Sequence, residues 1–130
     1  MKRFIVLIFC ILILAGCPSA YKSAKDVGKG VSVENQATKT IKHLRIEKYV
    51  DGNLIDSEDV INANNSAFKK GEIVIFDIPV QANEEVEYLV NYSENLDATN
   101  EVSTDKIKIS PQESWTNLIL NKDLQLEVEK

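Results

Sequence analysis

Apolar and polar residues alternate along most of the chain after residue 30, which is the pattern of half-buried β-strands. The β-branched residues and tyrosines that suit a pleated sheet occupy many of these positions. The alternation predicts strands near residues 31–34, 44–50, 53–60, 72–79, 86–92, 106–109, 115–120 and 124–128. Tyr88 and Tyr92 share one side of their strand with Val86 and Val90, so we expect both tyrosines in the core.

Turn signals separate these segments. Asp51-Gly52-Asn53 is a strong hairpin signal, and Asn121-Lys122-Asp123 precedes the last strand. Ser93–Asp105 is predicted to be a polar loop. Ile73-Val74-Ile75-Phe76 is continuously apolar, which predicts a strand buried on both faces, with Pro79 at its end or at a sheet edge.

The pattern includes no convincing amphipathic helix, so the chain is predicted to be all-β. We expect an antiparallel immunoglobulin-like β-sandwich of seven or eight strands, and a small β-barrel is the alternative. The likeness to immunoglobulins is architectural, because their cysteine pair is absent and Trp115 comes late in the chain. Trp115 is expected in the core rather than in a binding patch.

The first residues follow a different pattern. Lys2 and Arg3 precede an unbroken apolar run of 11 residues, Phe4–Leu14, and small residues follow it. A membrane-spanning helix needs about 20 apolar residues. A basic start, an apolar middle and a small-residue exit are typical of a cleaved secretory signal.

The sequence Leu14-Ala15-Gly16-Cys17 at the end of this segment resembles the lipobox of bacterial lipoproteins. The resemblance implies cleavage between Gly16 and Cys17 and a diacylglycerol on the Cys17 thiol. It also implies that the α-amino group of Cys17, which cleavage frees, is often acylated, with palmitate as a typical chain. The chain's other cysteine, Cys10, would leave with the signal, so the mature domain would have neither a free thiol nor a disulfide.

The predicted organisation is therefore a lipoprotein signal peptide at 1–16, a lipidated Cys17 with a flexible tether at 17–30, and a β-sandwich domain at 31–130. Cleavage lowers Lys plus Arg from 15 to 13 against 20 Asp plus Glu, which gives a mature net charge of −7. An acidic domain repels phosphate backbones, so no nucleic-acid partner is expected.

His43 is the only histidine, and its position between Lys42 and Leu44 places it on the side of its strand opposite Leu44 and Ile46. We expect it to be exposed to solvent and not to be catalytic. With one histidine and no free cysteine, a transition-metal site is not expected. No cofactor is expected, since the glycines are scattered and form no phosphate-binding loop.

Acidic residues form two groups, and both are interpreted as solvated strand faces. The first comprises Asp51, Asp56, Glu58 and Asp59, which lack the ligand order of a calcium loop; the second comprises Glu84, Glu85 and Glu87. No pair of carboxylates is singled out for glycosidase-type chemistry.

These observations favour a non-catalytic, lipid-anchored envelope protein that binds or scaffolds another envelope protein. The alternative is an inhibitor or immunity-type lipoprotein, in which acidic loops at 56–59 or 95–105 would block a hydrolase or toxin. The anchor would lie in the cell membrane or the outer membrane, with the domain in the periplasm or outside the cell.

Overall fold

A computed structural model describes residues 28–80, 83–109 and 115–130, and their regular structure consists entirely of β-strands. The strands are β1 (Val31–Asn35), β2 (His43–Val50), β3 (Asn53–Val60), β4 (Ile73–Phe76), β5 (Val86–Ser93), β6 (Val102–Ser103), β7 (Ile107–Ile109), β8 (Thr116–Leu120) and β9 (Leu126–Val128). The prediction of an all-β fold is confirmed. The additional strand, β6, lies inside the segment that was predicted to be a polar loop.

The strands form two sheets, as a sandwich requires. The four-stranded sheet has the order β4-β1-β8-β9, and the five-stranded sheet has the order β3-β2-β5-β6, with β7 also paired to β5. No strand pair among the described residues joins the two sheets, so the barrel alternative is wrong. One strand pair departs from the predicted antiparallel arrangement: β1 and β8 run parallel, with Val33 opposite Leu118.

The predicted hairpin between β2 and β3 is present. Asp51 and Gly52 are its two central residues, with φ of 49° and 79°, and positive φ at both is what a type I′ turn requires. The turn between β8 and β9 is also where it was predicted. There the Asn121 side-chain oxygen accepts hydrogen bonds from the amides of Asp123 at 2.9 Å and Gln125 at 3.0 Å.

The core lies between the sheets and is built from the inward side chains of both. Its fully buried members include Val31, Val33, Leu44, Ile46, Phe76, Tyr88, Val90, Leu118 and Leu120. Tyr88 and Tyr92 are both buried, as predicted. Trp115 is only partly buried; its ring lies so close to Gly30 that a Cβ on that glycine would come within 2.4 Å of a ring carbon.

The prediction that Ile73–Phe76 is buried on both faces is wrong. Val74 and Phe76 are buried, but Ile73 is 60% exposed and Ile75 is 67% exposed. β4 is the edge strand of its sheet, and only one face of that sheet meets the core. The continuous apolar run therefore places two isoleucines in solvent.

Candidate functional site

The edge formed by β4 differs in chemistry from the other sheet edges that the structure describes. Carboxylates lie on two of these edges, at Asp56, Glu58 and Asp59 of β3 and at Glu127 of β9. β7 carries Lys108, and β6 has only two residues. Proteins commonly use charges and short strands to keep sheet edges from pairing with other chains. β4 instead presents Ile-Val-Ile-Phe without a charge.

The backbone of β4 offers hydrogen-bonding groups along this edge. β4 pairs antiparallel with β1, with Val33 opposite Val74, and just before β4 the Asn35 amide donates to the Glu72 carbonyl at 2.9 Å. Hydrogen-bonded pairs alternate along an antiparallel ladder. The amides and carbonyls of Ile73 and Ile75 therefore point away from β1, to the side of β4 where no other described strand pairs with it.

Carboxylates surround the C-terminal end of β4. The Asp77 amide donates to the Glu58 carboxylate, which reaches it from β3 of the other sheet. The pKa of Glu58 is raised, first by burial and further by the negative charges of Asp77 and Asp56, although the bond from the Asp77 amide lowers it. Glu58 therefore lies close enough to Asp77 and to Asp56 for their negative charges to disfavour its ionised form. We call the edge of Ile73–Phe76 together with Asp56, Glu58 and Asp77 the β4 edge site.

A second polar arrangement, the Glu47 network, covers the outer face of the five-stranded sheet. One Glu47 oxygen accepts from the Asn91 amide at 3.0 Å and lies 3.2 Å from Arg45 Nε, while the other accepts from the Tyr49 hydroxyl at 2.6 Å. Arg45 also contacts Glu101 at 2.5 Å, and the Lys106 ammonium lies 3.5 Å from the centre of the Tyr49 ring. Because these charges compensate one another, the network stabilises the sheet face without requiring a ligand.

The Glu47 network predicts a specific titration. The hydrogen bond to the Glu47 carboxylate, assisted by burial and by the same negative charge, raises the pKa of Tyr49 above 10.0, and Arg45 opposes the shift. The stability that this bond contributes is therefore complete below the pKa of Tyr49 in the unfolded chain. It is lost as the pH rises through the pKa of Tyr49 in the folded protein. Glu47→Gln should lower the Tyr49 pKa toward its ordinary value, measured by alkaline NMR titration of the Tyr49 ring.

Glu127→Gln, a change on the other sheet, is the control for this titration and should leave the Tyr49 midpoint where it is in the unaltered protein. An unchanged midpoint in Glu47→Gln would show that the carboxylate does not control the hydroxyl.

The prediction that His43 is exposed is wrong. It occupies the predicted side of β2, but this strand lies between β3 and β5, and the side chain is 6% exposed. Its Nε2 lies 2.9 Å from Asp59 of β3, and its Nδ1 has no hydrogen-bond partner among the described residues. Ser93 lies opposite on β5, but its hydroxyl donates to the Thr99 carbonyl at 2.6 Å. These contacts do not form the serine–histidine arrangement of a hydrolase.

A buried polar cluster inside the sandwich was not predicted from the sequence. Lys48 is 4% exposed, and its ammonium lies 2.8 Å from the Glu84 carboxylate and 3.1 Å from the Pro79 carbonyl. Tyr88 lies opposite Lys48 on β5, and burial, with a smaller contribution from Glu84, raises its pKa well above the ordinary range. The sequence contained a sign of this burial, because Lys48 lies on the same side of its strand as Leu44, Ile46 and Val50.

The structure separates the two predicted acidic groups. Glu58 contacts the end of β4, Asp59 contacts His43, and Glu84 contacts Lys48, while Glu85 forms a surface pair with Lys108 at 3.0 Å. In the described ranges, no three His, Cys, Asp or Glu side chains are placed to hold a metal ion. Residues 56–59 belong to β3, so the prediction of an acidic loop there is wrong.

The predicted lipidation and cleavage site at Gly16 and Cys17 lies outside the described residues. Within the described part of the chain, no helix has the length and hydrophobicity needed to cross a membrane. Comparison with models of protein families, with curated proteins and with solved structures finds no match to this chain. The candidate function therefore rests on the residues of the β4 edge site and on the N-terminal sequence.

Proposed function

We propose that this protein is a non-catalytic binding module of a bacterial cell envelope, held at the membrane by a lipid on Cys17. Its tether, residues 17–30, would place the domain next to the membrane, in the periplasm or outside the cell. The β4 edge site would contact an envelope protein. The single observation that carries this proposal is the exposure of Ile73 and Ile75 on a sheet edge that lacks the usual charges.

The arrangement of polar groups supports binding over catalysis. Glu47 and Arg45 are occupied with each other and with neighbouring side chains, and Lys48 is paired inside the sandwich. A hollow of about 720 Å³ is lined by loop residues 62–64, 66 and 69–72, and His43 does not line it. An exposed apolar edge on a stable sheet is suited to holding another protein.

Photo-crosslinking in the native envelope tests this proposal. A photoreactive amino acid in place of Ile75 should yield a discrete crosslinked protein, and Ile73→Lys in the same chain should remove that product. The matched control is the same amino acid in place of Leu54, which is similarly exposed but lies on β3, and it should not yield the product.

Failure to obtain an Ile75-specific product in intact envelopes would contradict the proposal. If the crosslinked protein is a hydrolase or toxin whose activity falls on binding, the protein acts as an inhibitor or immunity-type lipoprotein.

A further inference from the structure

We propose that the β4 edge pairs, in antiparallel orientation, with an extended segment of the partner protein that carries lysine or arginine at its N-terminal end. This inference rests on the proposed binding function and identifies the chemistry of the segment that is bound. Ile73 and Ile75 would supply the main-chain contacts, and Asp56 and Glu58 would receive the basic side chains.

The main-chain geometry favours an added strand over a side-chain contact alone. The amides and carbonyls of Ile73 and Ile75 point away from β1, as the alternation with β1 requires. The next amide with this direction, that of Asp77, is already bonded to Glu58. The accessible edge is therefore short, and an extended peptide is the partner structure that uses such a row of groups.

The side chains along the edge select the same kind of segment. Ile73 and Ile75 project on the outer face of the sheet, opposite Glu34 and Ser32 of β1. Side chains of an added strand that point to this face would lie beside the isoleucines. Cross-strand pairs of β-branched residues stabilise a sheet, so valine, isoleucine or threonine is expected at alternate positions of the segment.

Antiparallel pairing is slightly more stable per residue than parallel pairing, which favours this direction for the segment, and the charges then determine which end of it is basic. Asp77 follows β4 directly, and its amide donates a hydrogen bond to the Glu58 carboxylate. Burial raises the pKa of Glu58, and the negative charges of Asp77 and Asp56 raise it further. An antiparallel partner strand begins beside the end of β4, so its N-terminal residues meet these carboxylates. A lysine or arginine there relieves a repulsion that is already present in the unbound protein.

A second copy of the chain fits this edge less well. In an antiparallel pair of β4 strands, Glu72 of each copy would lie beside Asp77 of the other. Each copy of residues 17–130 also carries a formal net charge of −7, so two copies repel.

Synthetic peptides test the inference directly. The probe is a short capped peptide of alternating valine and threonine with two N-terminal lysines, and the comparison peptide has the same lysines at its C-terminal end. Fluorescence anisotropy with residues 17–130 should show at least tenfold tighter binding of the first peptide. Hydrogen exchange should show new protection of the Ile73 and Ile75 amides.

Variants test the source of the preference. The double variant Asp56→Asn, Glu58→Gln keeps an acceptor for the Asp77 amide and should reduce the preference to less than twofold. Asp123→Asn, a change in the turn between β8 and β9, should leave the preference intact.

Equal affinity for the two peptides, or unchanged exchange at Ile73 and Ile75, would overturn the inference, and so would a concentration-dependent dimer protected at the same amides. These outcomes differ from failure of the proposed function. An Ile75-specific crosslink in the envelope together with equal affinity for the two peptides would retain the binding function and reject the basic N-terminal end proposed for the segment.

Discussion

Replacing Glu84 with alanine is expected to reduce the free energy of unfolding by about 3 kcal/mol, because it leaves a buried ammonium without its counter-ion. The Lys48 side chain is 5% exposed, and Glu84 is its carboxylate partner at 2.8 Å. The Pro79 carbonyl still accepts one hydrogen bond, but it cannot neutralise the charge. Urea unfolding followed by circular dichroism measures the loss.

Two variants make this prediction specific. Glu85→Ala removes a neighbouring carboxylate whose ion pair with Lys108 is exposed, and it should change stability by less than about 0.5 kcal/mol. Lys48→Met removes the buried charge and keeps most of the side-chain volume, so it should be tolerated better than Glu84→Ala. Equal effects of Glu84→Ala and Glu85→Ala would show that burial of Lys48 does not control the energetics.

Replacing Cys17 with serine is expected to abolish lipid attachment, because a hydroxyl does not form the thioether that the lipobox resemblance implies. Each buried methylene of a lipid chain contributes about 0.8 kcal/mol, and stable anchoring requires two chains, so the loss of a diacylglyceryl group removes the anchor. Metabolic labelling of a bacterial host with an alkyne fatty acid measures the attachment.

The matched control is Cys10→Ser, which changes the chain's other cysteine within the apolar run. This variant should incorporate the label as the unaltered protein does. Labelling of Cys17→Ser at the unaltered level would place the lipid elsewhere and reject the proposed anchor.

The alternating pattern predicted the sandwich because side chains on a strand alternate between its faces, and the predicted and observed positions of Tyr88 and Tyr92 agree. It failed at β4 because an apolar run does not reveal whether both faces of a strand are covered. Ile73 and Ile75 lie on the outer face of their sheet, and only the inner face of that sheet meets the core.

His43 and Lys48 show a second limit of sequence reasoning. The sequence shows on which side of β2 each residue lies, but its burial depends on which strands flank β2. His43 is covered because β3 brings Asp59 beside it, and Lys48 is tolerated in the core because the segment before β5 places Glu84 within reach. Both partners come from other segments of the chain, and local periodicity contains no information on such contacts.

The candidate site was hidden for the same reason. From the sequence, Asp56 and Glu58 belonged to an acidic group near the hairpin, while Asp77 lay inside the predicted strand 72–79 and was not singled out. The approach of β3 to the end of β4, across the two sheets, brings them together.

The mass of the mature N-terminal peptide, purified from the native bacterial membrane, tests the proposed anchored module most directly. The account predicts a peptide that begins at Cys17 and carries a diacylglyceryl group on sulfur. A peptide that retains residues 1–16, or one that begins at Cys17 with an unmodified thiol, would contradict it.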